Sequence, residues 1–278
     1  MITRYISIIT MPGKFSSIKL SRSSLKLFQD CPRCFWLDLH HKVRRPPGFP
    51  YTLSIAVDFL VKQEFDKYRR QGTLPPVLAR HIKDATLYDG PELPQWRDNF
   101  KGVQHFDEDL NAMLYGAVDD VLKFADGSLA VIDYKSSGAR EIKIYDDYQK
   151  QMDIYSYILA RNGFQTHPEA YFVFYQVDKS GGGFQNALPF IEQLKAIKVD
   201  KSWVGDVFEQ AVMVARRDTP PDLETPCEHC IYVQKAGAFM PALKNEGNAP
   251  IPSESEGLPT KSRSSRIAAA SEPIVLAE

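Results

Sequence analysis

Asp119, Asp133 and Lys135 sit on what reads as one β-hairpin. An apolar run from Met113 to Phe124 contains Gly116-Ala117-Val118-Asp119, and a turn follows at Ala125-Asp126-Gly127-Ser128. The second run, Leu129-Ala130-Val131-Ile132, leads into Asp133-Tyr134-Lys135. Side chains alternate along a strand, so Asp133 and Lys135 share a face and Tyr134 takes the other. A tight hairpin brings Asp119 beside them. Two carboxylates and an ammonium at one strand end suit a divalent cation and an activated water. Alone, each is an ordinary surface acid or a snorkelling lysine. Their combination between two apolar runs points to a site.

Hydrolysis of a phosphodiester needs an in-line water, neutralised phosphate charge and help for the leaving oxygen. Mg²⁺ or Mn²⁺ held by carboxylates supplies most of that. Asp119 and Asp133 are the candidate ligands, with the Tyr134 carbonyl as a further oxygen between two inward side chains. Lys135 orients or deprotonates the water, or stabilises developing negative charge. Gln151 and Tyr155 lie four residues apart on the following helix, so they share a face that can bind a phosphate or stack a base.

All four cysteines fall into two pairs, Cys31-Pro32-Arg33-Cys34 and Cys227-Glu228-His229-Cys230. In a reducing compartment such pairs are metal ligands rather than disulfides. Two Cys-x-x-Cys knuckles suit tetrahedral Zn²⁺. Such an ion would staple the N-terminal helix to the C-terminal end of the domain. Four thiolates leave no open position for water, which argues against a zinc hydrolase built on them.

The elements that must position these groups are legible in outline. Ser21-Arg22-Ser23-Ser24 starts a helix. Thr52 to Gln71 carries apolar residues near a 3.6 period and stops at Gly72. Residues 73–102 read as loop with a short helix near Trp96. Residues 103–135 form the hairpin region, Asp146 to Asn162 a helix, Glu169 to Val177 a strand, Phe184 to Ile197 a returning strand, and Ser202 to Arg217 a helix. That order makes an α/β domain with a central mixed sheet. The expected partition is a flexible lead-in over 1–18, one domain over 19–242 and a disordered tail over 243–278, where Pro, Ser, Glu and Ala dominate. No run is apolar enough to span a membrane, and the chain reads as cytosolic. A net charge of −1 gives no global reason for a polyanion partner. The N-terminal stretch is basic, however, and Arg22, Arg33, Arg44 and Arg45 interleave with Phe28, Phe35, Trp36, Phe49 and Tyr51. That mixture can hold a nucleic-acid backbone and stack bases, although most of these rings better suit the core of a helical cap.

Taken in order, Gly116-x-x-Asp119, Asp133-x-Lys135 and Gln151-x-x-x-Tyr155 resemble the RecB-like branch of the PD-(D/E)XK nuclease superfamily, over residues 20–232. The resemblance implies a restriction-endonuclease-like core, two-metal cleavage of DNA, and a Gln/Tyr helix that belongs to the nuclease site. It implies an exonuclease-like enzyme acting on single-stranded DNA or free ends, in recombination, repair or phage- and CRISPR-type DNA processing. Many relatives carry a metal-binding histidine on an upstream helix, and here Asp58 stands in that place; His105 is the alternative ligand. Some relatives lock their two ends with a 4Fe–4S cluster on one plus three cysteines, whereas this chain has two plus two. By resemblance the four cysteines favour a cluster, and by spacing they favour zinc. The alternative is a metal-stapled DNA-binding or assembly module that has lost turnover, motivated by Asp58 in the histidine place.

Overall fold

The computed structural model describes residues 17–49, 51–184, 186–222 and 226–240. In chain order the elements are β1 (Ile18–Ser21), α1 (Arg22–Asp30), α2 (Pro32–His41), α3 (Thr52–Gln71), α4 (Pro76–Ala79), β2 (Ala85–Leu87) and α5 (Leu93–Trp96). There follow β3 (Val103–Asp107), β4 (Ala112–Gly116), β5 (Asp120–Phe124), β6 (Leu129–Ser137), α6 (Asp146–Arg161), β7 (Glu169–Val177), β8 (Phe190–Lys198), α7 (Val204–Ala215) and α8 (Glu228–Gly237).

A five-stranded sheet, β2-β5-β6-β7-β8, carries the main core, and β1-β4-β3 form a separate three-stranded sheet. β6 and β7 run parallel and are joined by α6, as a crossover between parallel strands requires. The other pairs of the large sheet are antiparallel. The sheet is therefore mixed and flanked by helices. Strand alternation on β6 divides the apolar residues between two cores. Val131 joins Met152, Ile158, Phe172 and Phe208 on the α6–α7 side. Ala130, Ile132 and Tyr134 join Val61 and Phe65 of α3 on the other.

Local chemistry explains the ends. Ser21 caps α1 by accepting from the Ser24 N–H at 3.0 Å, which satisfies a free helix amide. α3 stops at Gly72, whose φ of +64° is a left-handed C-cap. Gly127, at φ +85°, supplies the turn between β5 and β6.

One expectation changes. Residues 103–135 are not a single hairpin but two, β3–β4 in the small sheet and β5–β6 in the large one. The apolar run from Met113 to Phe124 breaks at 117–119, where the backbone passes from one sheet to the other. Two strands also join where loop or lead-in was expected: β2 within 73–102, and β1, whose first residue is Ile18. The returning strand begins at Phe190, later than Phe184. The rest of the expected lead-in, 1–16, and the expected tail, 243–278, lie outside the described residues.

The chain divides into a body through Tyr232 and a second unit from Val233. Of the second unit, residues 233–240 are described; they complete α8 and are mostly exposed.

Candidate active site

The break between sheets builds the site. The β5–β6 ladder ends at the pair Asp120↔Ile132. Asp119 is the next residue beyond it, just where the chain leaves β6. The Tyr134 N–H therefore has no strand partner on that side and donates to Asp119 Oδ2 at 3.0 Å. Asp119 Oδ1 meets Lys62 Nζ at 2.8 Å. Lys62 also donates to Asp58 Oδ2 at 2.8 Å, so α3 presents an acid and an ammonium to Asp119.

Asp133 is 2 % exposed. Its Oδ1 accepts from Gln151 Nε2 at 2.6 Å, and Gln151 Oε1 accepts from Arg22 Nη2 at 3.0 Å. Arg22 also donates to the Asp147 carbonyl at 3.3 Å, which pins the amide of Gln151. Asp133 Oδ2 lies against the Lys135 ammonium but accepts no well-directed hydrogen bond. Lys135 Nζ stands 5.1 Å from the centre of the Tyr148 ring, within cation–π range. Gln151 Nε2 also reaches the Tyr155 hydroxyl, at 3.4 Å. Tyr155 packs over Gly116, where a Cβ would overlap its ring. That overlap explains the glycine three residues before Asp119.

The electrostatics follow from burial. Burial, and then the charge of Asp119, push the Asp133 carboxyl up to about 7. Asp58 is raised by burial and by Asp119. Lys62 pays for its burial, yet Asp119 and Asp58 hold its ammonium above the ordinary lysine value. A buried acid with one poorly satisfied oxygen and a neighbouring acid are hard-oxygen donors of the kind Mg²⁺ or Mn²⁺ takes. Asp119 and Asp133 would hold such an ion; with Asp58 they do not form a three-acid group as close as the four thiols.

Several expected residues fall elsewhere. His105 is on β3, where its Nε2 accepts from Arg161 Nε at 3.1 Å and its ring meets Tyr157 edge-on. Arg33 donates to the Pro221 carbonyl at 3.0 Å and ties α2 to the C-terminal segment. Arg45 donates to Cys227 Sγ at 3.5 Å and pairs with Asp30 at 3.3 Å. Among the four arginines expected on a nucleic-acid surface, Arg44 is open, pairing only loosely with Asp38, and Arg22 lies within the site. Sequence reasoning missed Lys62. Its spacing from Asp58 is that of an everyday helix-surface pair.

The second constellation assembles fully. The four thiol sulfurs lie within 4.8 Å of one another, the one group of three or more metal-type side chains so close among the described residues. Cys34 Sγ stands 3.6 Å from Cys227 Sγ and 3.8 Å from Cys230 Sγ; Cys31 stands 3.8 Å from Cys230. A tetrahedron with metal–sulfur bonds of about 2.3 Å has edges of about 3.8 Å, so the donor set fits a metal. Although burial opposes it, hydrogen bonds from Cys230 and the neighbouring thiols bring Cys227 down to about 6. Burial and the same neighbours raise Cys34 and Cys230, so the four thiols compete to ionise, as thiols crowded together without a cation must.

A mixed sheet with helices on both faces, and carboxylates where its strands part, is restriction-endonuclease-like architecture. The chain belongs to the PD-(D/E)XK nuclease superfamily, whose model matches residues 56–234. This range begins in α3 and takes in Asp58, Asp119, Asp133, Lys135 and the second cysteine pair; Cys31 and Cys34 precede it. Among solved structures, one described as SSO0001 is similar over 83 % of this chain and 90 % of its own, at 13 % identity and a TM-score of 0.36. No curated protein matches in sequence. Among the described residues, no helix is long and apolar enough to cross a membrane.

Proposed function

We propose that the protein is a Mg²⁺- or Mn²⁺-dependent nuclease that hydrolyses DNA phosphodiester bonds. One observation carries the reading. Asp133 is buried, keeps an oxygen without a directed hydrogen bond, and lies beside Lys135 and within the field of Asp119. Gln151 and Lys135 engage the carboxylate, and a hard cation would take up the oxygen that lacks a directed hydrogen bond. Asp119 and Asp133 would hold that cation, which when bound would supply charge neutralisation at the phosphate and an acidified water. Gln151 fixes the Asp133 carboxylate through its amide. Lys135, held by Asp133 and Tyr148, would orient the attacking water or steady the developing negative charge. Tyr155 keeps the α6 face against Gly116.

DNA with unpaired bases is the favoured substrate. The N-terminal half of α3 and its lead-in expose Phe49, Tyr51, Leu53, Ile55 and Phe59 around Asp58. Exposed rings next to a phosphate site suit stacking of splayed bases. This supports single strands or free ends as the substrate; the exonuclease-like action and the cytoplasmic recombination, repair or phage- and CRISPR-type setting are what the resemblance implies.

The four cysteines are read as a structural site for a single tetrahedral ion, Zn²⁺. Sulfurs all within 4.8 Å of one another, three of the pairs at 3.6–3.8 Å, suit one metal at their centre. A 4Fe–4S cluster interposes its irons and sulfides between the cysteines and needs them wider apart.

The test is cleavage of end-labelled single- and double-stranded DNA with Mg²⁺ or Mn²⁺ by the parent and by Lys135→Ala. The expected result is cutting by the parent and a loss of about 10²–10⁴-fold in the variant, with DNA binding retained. The second reading, a module without turnover, rests on Lys62 lying between Asp58 and Asp119. A parent that binds DNA and never cuts it would support that module instead.

A further inference from the structure

Four residues on α3 form one stripe of alternating charge: Asp58, Lys62, Asp66 and Arg69, at spacings of four, four and three. Two successive acids on the facing chain receive it. Lys62 pairs with Asp119, and Arg69 Nη2 pairs with both oxygens of Asp120 at 2.7 Å. The upper half of the stripe belongs to the active site. The lower half has no part in the chemistry, yet it is the more buried, with the Asp120 side chain 0 % and that of Arg69 6 % exposed.

Arg97 joins the two halves. Its Nη1 donates to Asp66 Oδ1 at 2.8 Å and its Nη2 to Asp120 Oδ2 at 2.6 Å. Its Nε donates to the backbone carbonyl of Asp119 at 2.9 Å. One guanidinium thus holds α3, β5 and the main chain of the proposed metal ligand. Tyr134 adds a second link, because its hydroxyl donates to Asp120 Oδ2 at 2.8 Å while its N–H holds Asp119 Oδ2. Arg69 also donates to the Tyr88 carbonyl and at 3.2 Å to Asp66. Two guanidiniums and two carboxylates balance in charge.

Well-packed apolar side chains stabilise a core about as well as such a network. Its distinctive property is directional: a fully paired set of charges built on a buried pair favours one register. We propose that Asp66, Arg69, Asp120 and Arg97 form a positioning clamp that fixes the sliding of α3 along β5, and that Arg97 is the positioning residue for Asp119. Through this clamp Asp58 and Lys62 are held opposite Asp119. The proposal rests on Asp119 being a metal ligand.

The test measures Mn²⁺ binding by electron paramagnetic resonance and thermal melting on the same full-length samples, each well below its melting point. Four proteins are compared with the parent: Arg97→Met, Arg97→Lys, Asp66→Asn and Asp119→Asn. Arg97→Met is expected to weaken Mn²⁺ binding at least tenfold while folded, with Arg97→Lys recovering part of the loss. Asp66→Asn, at a half-open position, is expected to weaken it less, and it carries the test if Arg97→Met does not fold. Lower melting points with Mn²⁺ affinity unchanged in the Arg97 and Asp66 variants would overturn the clamp and leave a merely structural network. A parent whose Mn²⁺ binding is indifferent to Asp119→Asn overturns the underlying reading instead, and the two failures are told apart by that control.

Discussion

The backbone N–H of Tyr134 donates to the carboxylate of Asp119 one residue past the last rung between β5 and β6. A strand that has lost its neighbour there uses an acid from the departing chain in its place. The same contact sets Asp119 beside the two side chains that flank Tyr134, Asp133 and Lys135. The site is thus a consequence of where two sheets part.

Asp133 gives a pH-dependent signature. In the folded metal-free protein its carboxyl is pushed up to about 7 by burial and by Asp119, whereas in the unfolded chain it titrates at about 3.9. Between those values the folded state binds the extra proton. The group therefore costs stability in full above about pH 7, and the cost fades as pH falls toward 4. Asp133→Asn removes it. At pH 8 without metal the variant should melt several degrees above the parent, and near pH 4 the two should converge. Mn²⁺ should raise the parent alone. Identical metal-free melting at pH 8 contradicts the burial argument.

Gly116→Ala places a methyl group into the ring of Tyr155. Overpacking of this kind costs about 1–3 kcal/mol, and the displaced ring disturbs Gln151 on the same helix face. Urea denaturation should report the lost stability. Cleavage should fall more than tenfold under conditions where the variant is fully folded.

Lys62→Met removes the ammonium between Asp58 and Asp119. The metal-free protein should then lose stability, because two neighbouring acids are left without a counter-charge. Mn²⁺ should bind more tightly, having no resident cation to displace. Weaker Mn²⁺ binding in this variant would instead make Lys62 a supporting member of the site.

The cysteine site should hold one zinc per chain, read by elemental analysis, with no visible absorbance from iron. Stripping the metal should lower the melting temperature by on the order of 10 °C. Arg45 lies against Cys227, and its Nε is buried without a hydrogen-bond partner. It acts as a counter-charge to the thiolates. Arg45→Met should weaken metal retention by about 10- to 100-fold, as loss of an outer-sphere partner commonly does; a chelator competition assay measures this.

Much of this was legible in the residues, for reasons of period and pairing. The helical spacing of α3 and α6 is long and strong, so Asp58 was assigned to a helix and Gln151 and Tyr155 to one face. The Asp126-Gly127 turn announced the β5–β6 hairpin, and two cysteine pairs announced a shared site. Other features had no local signal. Ala117 and Val118 keep the run from Met113 to Phe124 apolar, so the break between sheets is invisible to alternation. β1 pairs with β4 across some ninety residues of chain, with no turn chemistry to mark it. Asp120 follows Asp119 directly, and the alternation of strand faces turns it to Arg69 and Arg97, partners too distant in sequence to give a local signal. Arg33 and Arg45 read as basic surface because burial beside cysteines depends on the distant C-terminal segment.

Mn²⁺ titration of the parent, Asp119→Asn and Asp133→Asn, with cleavage of end-labelled DNA measured on the same samples, tests the central claim most directly. The account predicts that the parent binds the ion and cuts, and that each substitution lowers both affinity and cleavage by about 100-fold or more. Variants that bind Mn²⁺ and cut DNA as the parent does would contradict it.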